Sequence, residues 1–251
     1  LDTDTDHDVT IAVGQCRNAG DTMNILHTLS GGITKQLDAT WAAGHDAGGL
    51  NATDFAAGSS GIEADTTYHL YLIENGGGVV DAGFDKSITA ANLLSDSGYV
   101  NYRRVASIVT NSTAAPDANI LGYNQYGTHF VLQDPPTGSA NSTLTSDTAI
   151  TITLPGCPTG LSVLAECNAY IREDTNYEVY YSTLDQTDLQ PSRTVAPYLQ
   201  FAKDGGRSGR GFIIQTNTSA QFRIRPKANA GAFNTINVGC SGWFDDLGQY
   251  D

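Results

Sequence analysis

Apolar and polar residues alternate with a period of two along most of the chain. Val9, Ile11 and Val13 interleave with Thr10 and Ala12 until Gly14 breaks the run. That period predicts strands rather than helices. The stretch YHLYLIENGGGVVDAGF (68–84) reads as strand, Gly-rich turn and strand. Tyr68, Leu70 and Leu72 fall on one face, and His69, Tyr71 and Ile73 on the other. RRVASIV and ANILGYNQY (103–109 and 118–126) predict a second hairpin around a turn at 110–117. ITKQLDATWA (33–42) fits a helical stripe through Ile33, Leu37 and Trp41, and equally an alternating strand. The glycines at 31, 32, 44, 48 and 49 leave little room for a long helix, so a strand is expected.

A boundary is expected near QDPPTGSANST (133–143), where two prolines, a glycine and small polar residues suit a short linker. Alternation resumes in TAITITLP (148–155). It continues through LSVLAECNAYI (161–171), YEVYYSTL (177–184), RGFIIQTN (210–217), AQFRIRPK (220–227) and NTINVGCSGWF (234–244). Strands of this length, punctuated by turn residues, predict an all-β protein. Its expected form is two antiparallel β-sandwich or jelly-roll-like domains, residues 1–134 and 135–251.

Composition narrows the class. Against 13 Lys and Arg stand 27 Asp and Glu, a formal net charge of −14. Such a surface repels nucleic acid and anionic lipid, so neither is an expected partner. Charged residues make up only 16% of the chain, with Gly, Thr, Ser and Asn supplying much of its polarity, a balance common in extracellular and virion β proteins. No apolar run approaches the roughly 18 residues of a membrane span, so no membrane insertion is expected. No secretory signal segment is recognisable, and a chain that starts at Leu1 instead of Met reads as a trimmed or partial product. Cysteines occur at 16, 157, 167 and 240, with no CxxC pair. Cys157 and Cys167 could face each other across a hairpin, or all four could be buried free thiols.

One ordered set of segments carries a family likeness. DHDVTIAVGQCR (6–17), ITKQLDATWAAG, TTYHLYLIEN, GVVDAGFD, YRRVASIVTN and NILGYNQYGTHFVLQDP follow one another across roughly residues 2–134. That order resembles a β-rich domain of tail-fibre and other tail proteins of tailed bacteriophages. PSRTVAPYLQ, QTNTSAQFRIR and GCSGWFDDLG resemble a domain that often follows it. Relatives commonly carry a polar, often charged turn where this chain has Glu74–Gly78, which implies a differently shaped loop here. The resemblance implies virion structural and adhesion modules, usually oligomeric, and brings no catalytic residues.

Tests for chemistry are mostly negative. Asp2, Asp4, Asp6 and Asp8 alternate like a calcium loop. An EF-hand counted from Asp2 needs Gly and Glu where this chain has His7 and Val13, and counted from Asp4 it meets Val9 and Gln15. Alternate side chains on one strand stand about 7 Å apart, so Asp2, Asp4 and Asp6 remain weak metal candidates and the wet side of a first strand is the simpler reading. Histidines 7, 27, 45, 69 and 129 form no HxxxH or HExxH pair. His69 is expected on a half-buried strand face, and His129, beside Phe130, as a packed or hydrogen-bonded side chain. GRSGR (206–210) is no nucleophile elbow, because Arg210 stands where the second glycine belongs. No catalytic residue and no cofactor is therefore expected. The sequons at 51–53, 111–113, 141–143 and 217–219 follow from an Asn/Ser/Thr-rich composition.

Binding chemistry is better represented. Six of the thirteen basic residues lie between 203 and 227, among them Arg207, Arg210, Arg223, Arg225 and Lys227. Arg223 and Arg225 alternate with Phe222 and Ile224 and so share a strand face, a possible cradle for phosphate or carboxylate. Pairing with carboxylates of this chain or of a neighbouring subunit is the competing reading. Among twelve tyrosines, Tyr180 and Tyr198 are candidates for stacking on sugars, a role that core and interface packing also explain. The expectation is a non-enzymatic structural protein of a phage tail, located in the virion and assembled in the host bacterial cytoplasm. Residues 1–134 are expected to serve scaffold and assembly, and 135–251 receptor binding. Expected partners are itself, as a homotrimer, other virion proteins and a host-surface polysaccharide. A glycan depolymerase and a purely architectural capsid or tail decoration protein are the alternatives.

Overall fold

The computed structural model describes residues 7–55, 62–113, 118–141, 147–188, 190, 199–228 and 235–247, without the side chains of 140–141, 173–177, 199–208 and 228. Two compact units divide the chain: Leu1–Gly122 with Asp246–Asp251, and Tyr123–Asp245. The protein is all-β, as the alternation predicts.

The first unit contains β1 (Asp8–Ile11), β2 (Gly14–Arg17), β3 (Asn24–His27), β4 (Ile33–Thr40), β5 (Ala47–Leu50), β6 (Thr67–Glu74), β7 (Val80–Asp85), helix α1 (Ala91–Ser97) and β8 (Asn101–Val109). Six strands form one sheet in the order β1-β4-β5-β7-β6-β8, and β2 and β3 form a separate hairpin. The pairings β4–β5 and β5–β7 are parallel, which departs from a wholly antiparallel expectation. The predicted hairpin at 68–84 is present as β6 and β7, antiparallel from Glu74↔Val80 to His69↔Asp85.

Every residue of β6 is buried, because the strand is covered on both faces. Leu72 packs with Ile25 of β3, Ile33 and Ala82, whereas Tyr71 and Ile73 pack with Leu93 and Ala90 at the helix. Each buried Leu or Ile among them contributes about 1.5–3 kcal/mol relative to exposure. His69 shares that burial at 1% exposure and meets Ser107 Oγ at 3.0 Å, so its strand face is covered rather than half wet. The predicted hairpin of 103–109 with 118–126 forms only as a short bridge at Thr110↔Ile120.

The second unit holds β9 (Tyr123–Tyr126), β10 (His129–Leu132), β11 (Ser139–Asn141), β12 (Ile150–Thr153), β13 (Leu164–Ser182), β14 (Leu199–Gln215), β15 (Gln221–Ala228) and β16 (Thr235–Phe244). Their order is β12-β15-β13-β16-β10-β9, with β11 also on β16 and β14 on β13. β9 and β10 enter this sheet through His129↔Phe244 and Phe130↔Trp243. The compact division therefore lies upstream of the boundary expected at 134/135, and part of the expected linker is strand β11 paired to β16. The core stacks Phe130 on Trp243 at 5.4 Å and gathers Tyr181, Phe212 and Phe222.

All four cysteines are free. Cys167 lies opposite Cys240 on adjacent strands. A hydrogen bond with Cys240, together with burial, raises the pKa of the Cys157 thiol well above its ordinary value. Cys157, Cys167 and Cys240 are buried core groups, whereas Cys16 is half-buried.

Candidate functional site

The basic strand predicted from sequence is β15. Phe222, Ile224 and Pro226 are buried while Arg223, Arg225 and Lys227 are half-buried, so the three cations share the outer face. Register places Arg225 opposite Tyr180 and Lys227 opposite Glu178 on β13. Arg225 forms a bidentate pair with Asp188 and donates to the Asp147 carbonyl, and Arg223 donates to the Gln186 carbonyl at 3.0 Å. Tyr180 is buried and donates its hydroxyl to Glu178; burial, then this contact, pushes its pKa above the ordinary tyrosine range. Both arginines thus tie the 186–188 segment to the sheet, Arg225 through a carboxylate of this chain, as the competing reading has it, and Arg223 through a backbone carbonyl.

Arg210 lies apart, on β14 opposite Ala169. Arg207 is placed by its backbone opposite Arg172. Tyr198, and Asp2, Asp4 and Asp6, lie outside the described residues. Among the described residues no group of three His, Cys, Asp or Glu side chains could hold a metal, and no helix is long and apolar enough to cross a membrane.

A second arrangement in the same unit comes from strands far apart in sequence. Directly opposed residues run across the sheet as Tyr126, His129, Phe244, Leu164 and Gln215. Directly opposed residues share a face, and Phe130, Trp243 and Ala165 occupy the buried one. The row is therefore external, with Tyr126 68% and Leu164 46% exposed. The next row is Asn124, Val131, Gly242, Glu166 and Ile213, the last 50% exposed.

The His129 imidazole stacks on Phe244, with centroids 4.1 Å apart and planes inclined by 12°, and its Nε2 meets Glu166 Oε2 at 3.1 Å. Gly242 permits this bridge across β16: a Cβ there would lie 3.2 Å from Glu166 Oε2 and collide with the Phe130 carbonyl. The result is an external row that joins a stacked imidazole–phenyl pair to the exposed Tyr126 and Leu164 side chains, with a carboxylate and amides beside them. The exposed Tyr126 ring beside these planar polar groups suits stacking against a sugar ring with hydrogen bonds to its hydroxyls. His129 was expected to be packed or hydrogen-bonded, and it is both. Its union with Tyr126, Glu166 and Phe244 depends on tertiary register, for which the only sequence signal is the alternation around HFVL and GWF.

No family model matches the chain, and no curated protein matches it. Among solved structures it is similar to the coat protein of Tobacco streak virus, at 10% identity over 48% of this chain and 85% of that one, with a TM-score of 0.31. A tandem pair of CBM22 domains from Paenibacillus barcinonensis aligns at 9% identity over 74% of this chain and 76% of that one, with a TM-score of 0.23. A structure of the Gt strain of infectious bursal disease virus aligns at 9% identity over 74% and 53%, with a TM-score of 0.20. The weak structural neighbours thus include a viral coat protein, at overlaps too low to carry a functional assignment.

Proposed function

We propose that the protein is a non-enzymatic structural module of a phage tail that joins virion assembly to adhesion on a host-surface glycan. The tail-protein resemblance of residues 2–134 supports the virion setting. The observation that carries adhesion is the external row Tyr126, His129, Phe244 and Leu164, with Glu166 held beside it. In a homotrimer three such faces act together, because each contact after the first is effectively intramolecular.

Adsorption of the purified protein to envelopes from a panel of bacteria, with reducing sugar assayed in parallel, tests this reading. Binding without sugar release is expected. Tyr126→Ala, at a side chain too exposed to support folding, is expected to weaken adsorption about tenfold, the equivalent of roughly 1.4 kcal/mol. Sugar release abolished by one Asp or Glu substitution would establish a depolymerase instead. Absence of adsorption to every envelope would leave an architectural protein and overturn the adhesion reading.

A further inference from the structure

Three asparagines close the same small ring in turns of this chain. Asn75 Oδ1 accepts from the N–H groups of Gly77 and Val79 at 2.9 and 3.2 Å. Asn111 Oδ1 accepts from the N–H groups of Thr113 and Asn119, both at 3.1 Å. Asn217 Oδ1 accepts from those of Ser219 and Gln221, both at 2.9 Å. In each case the first bond reaches the residue two ahead. That ring mimics a backbone turn and folds the side-chain Cγ back toward the peptide nitrogen of the residue between. The two N–H groups polarise the Cγ=Oδ1 bond and are aimed where negative charge develops if Cγ is attacked.

The residue that carries the intervening nitrogen sets Asn75 apart. Gly76 follows Asn75, whereas Ser112 follows Asn111 and Thr218 follows Asn217, and no other Asn-Gly pair occurs in the chain. A Cβ on that residue crowds the approach of its nitrogen to Cγ, and a β-branched one crowds it further. Gly76 has none, and its φ of 79° lies in the left-handed region that glycine enters readily. The amide nitrogen also differs: Asn217 Nδ2 donates to Gln221 Oε1 at 3.3 Å, whereas Asn75 Nδ2 has no hydrogen-bond partner among the described residues. Residues 75–78 are all exposed to water. The Gly76 N–H donates to the Glu74 carboxylate, which the Gly78 N–H and the Asn101 amide hold in place.

We propose that Asn75 is a site of self-modification, at which the chain converts its own side-chain amide to a carboxylate. The Gly76 nitrogen attacks Asn75 Cγ, and its proton passes to the Glu74 carboxylate. The new N–Cγ bond forms, the Cγ–Nδ2 bond breaks, and Nδ2 takes up that proton and leaves as ammonia. Water opens the resulting cyclic imide. Attack at Cγ gives an aspartate, and attack at the main-chain carbonyl gives an isoaspartyl link. One water enters and one ammonia departs, with no oxidant or cofactor. Either product adds one negative charge beside Glu74 to a chain already at −14. The isoaspartyl link also adds a methylene to the main chain between β6 and β7.

The full chain, held at physiological temperature in mildly alkaline buffer made with ¹⁸O-enriched water, is sampled over time by peptide mapping. The peptide spanning Asn75 is expected to gain ¹⁸O and one negative charge first, with Asn111 and Asn217 slower by at least about tenfold. Gly76→Ala places its Cβ an ordinary 3.5 Å from Val100 Cγ2 and is expected to slow the reaction at Asn75 to a similar degree. Ser112→Gly recreates at Asn111 the arrangement around Asn75 and is expected to raise the rate there about tenfold. That gain does not depend on how well the Gly76→Ala chain folds. Equal rates at the three asparagines, or a rate at Asn75 that Gly76→Ala leaves unchanged, overturns the proposal.

Discussion

Lys35 and Asp81 show how a buried charge can be made structural in a β protein. The Lys35 side chain is fully buried, and its ammonium also lies 5.4 Å from the Trp41 ring centroid. Burial lowers its pKa below the ordinary lysine value, and the Asp81 carboxylate restrains that shift. Removing one partner of such a pair strands the other charge, so Asp81→Asn is expected to destabilise the first unit by about 3–5 kcal/mol in urea denaturation. Glu74 gives the complementary pH signature. Burial pushes its pKa up, but the N–H groups of Gly78 and Gly76 and the Asn101 amide outweigh burial, and the net shift is downward. A carboxyl with a depressed folded pKa contributes stability above the ordinary glutamate range and loses it as pH falls through the folded value. Glu74→Gln is therefore expected to lower stability at pH 7 and to flatten the acid limb of the stability profile, as thermal melts between pH 7 and 3 would report.

At the scale of elements, close approach of backbones explains what alternation alone could not. β5 is only AGGL, a stretch with no strand signal, yet it joins β4 and β7 in parallel. Gly48 is needed there because a Cβ would fall well inside contact with the Thr40 carbonyl. Gly48→Ala is expected to force β4 and β5 apart, at a cost of about 1–3 kcal/mol measured by chemical denaturation. Helix α1 escaped sequence reading for a related reason. Its N-cap position is Ala90, with φ 52° and no capping side chain. Asp85, from the end of β7, instead accepts from the N–H groups of Asn92 and Leu93 at 2.8 and 2.9 Å. That cap comes from outside the helix, so no local motif announces it, and Asp85→Ala is expected to destabilise the helix and its packing by about 1–3 kcal/mol. The strands at 33–40, 67–74, 80–85 and 221–228 were legible because their periodicity is local. β13 reads as two strands because the polar residues REDTN (172–176) interrupt it, and a register shift between Glu173 and Asn176 carries the strand through. The shared face of Arg223 and Arg225 was legible in the same way. Their partners Asp188 and Gln186 were not, because nothing near 223–225 in sequence points to them.

At the scale of the whole molecule, the net charge of −14 separates two physical modes of adhesion. If the cations of β15 bound phosphate or carboxylate on a bacterial surface, adsorption would weaken steeply as salt screens the attraction. Arg225 is already paired with Asp188, however, and an acidic protein meets an anionic envelope with long-range repulsion. The proposed stacking of a sugar on Tyr126, beside the His129–Phe244 pair, would draw on no net charge. Raising salt from 0.05 to 0.5 M contracts the Debye length from over 10 Å to about 4 Å, which removes the repulsion and leaves the stacking contacts intact. Adsorption is therefore expected to hold or rise across that range, and Arg223→Ala with Arg225→Ala to leave its salt dependence unchanged in a pelleting assay with labelled protein. A fall of tenfold or more, abolished by the arginine substitutions, would move the adhesive surface from the Tyr126 row to β15. The salt response thus distinguishes the two faces of the second unit whichever glycan the envelope carries.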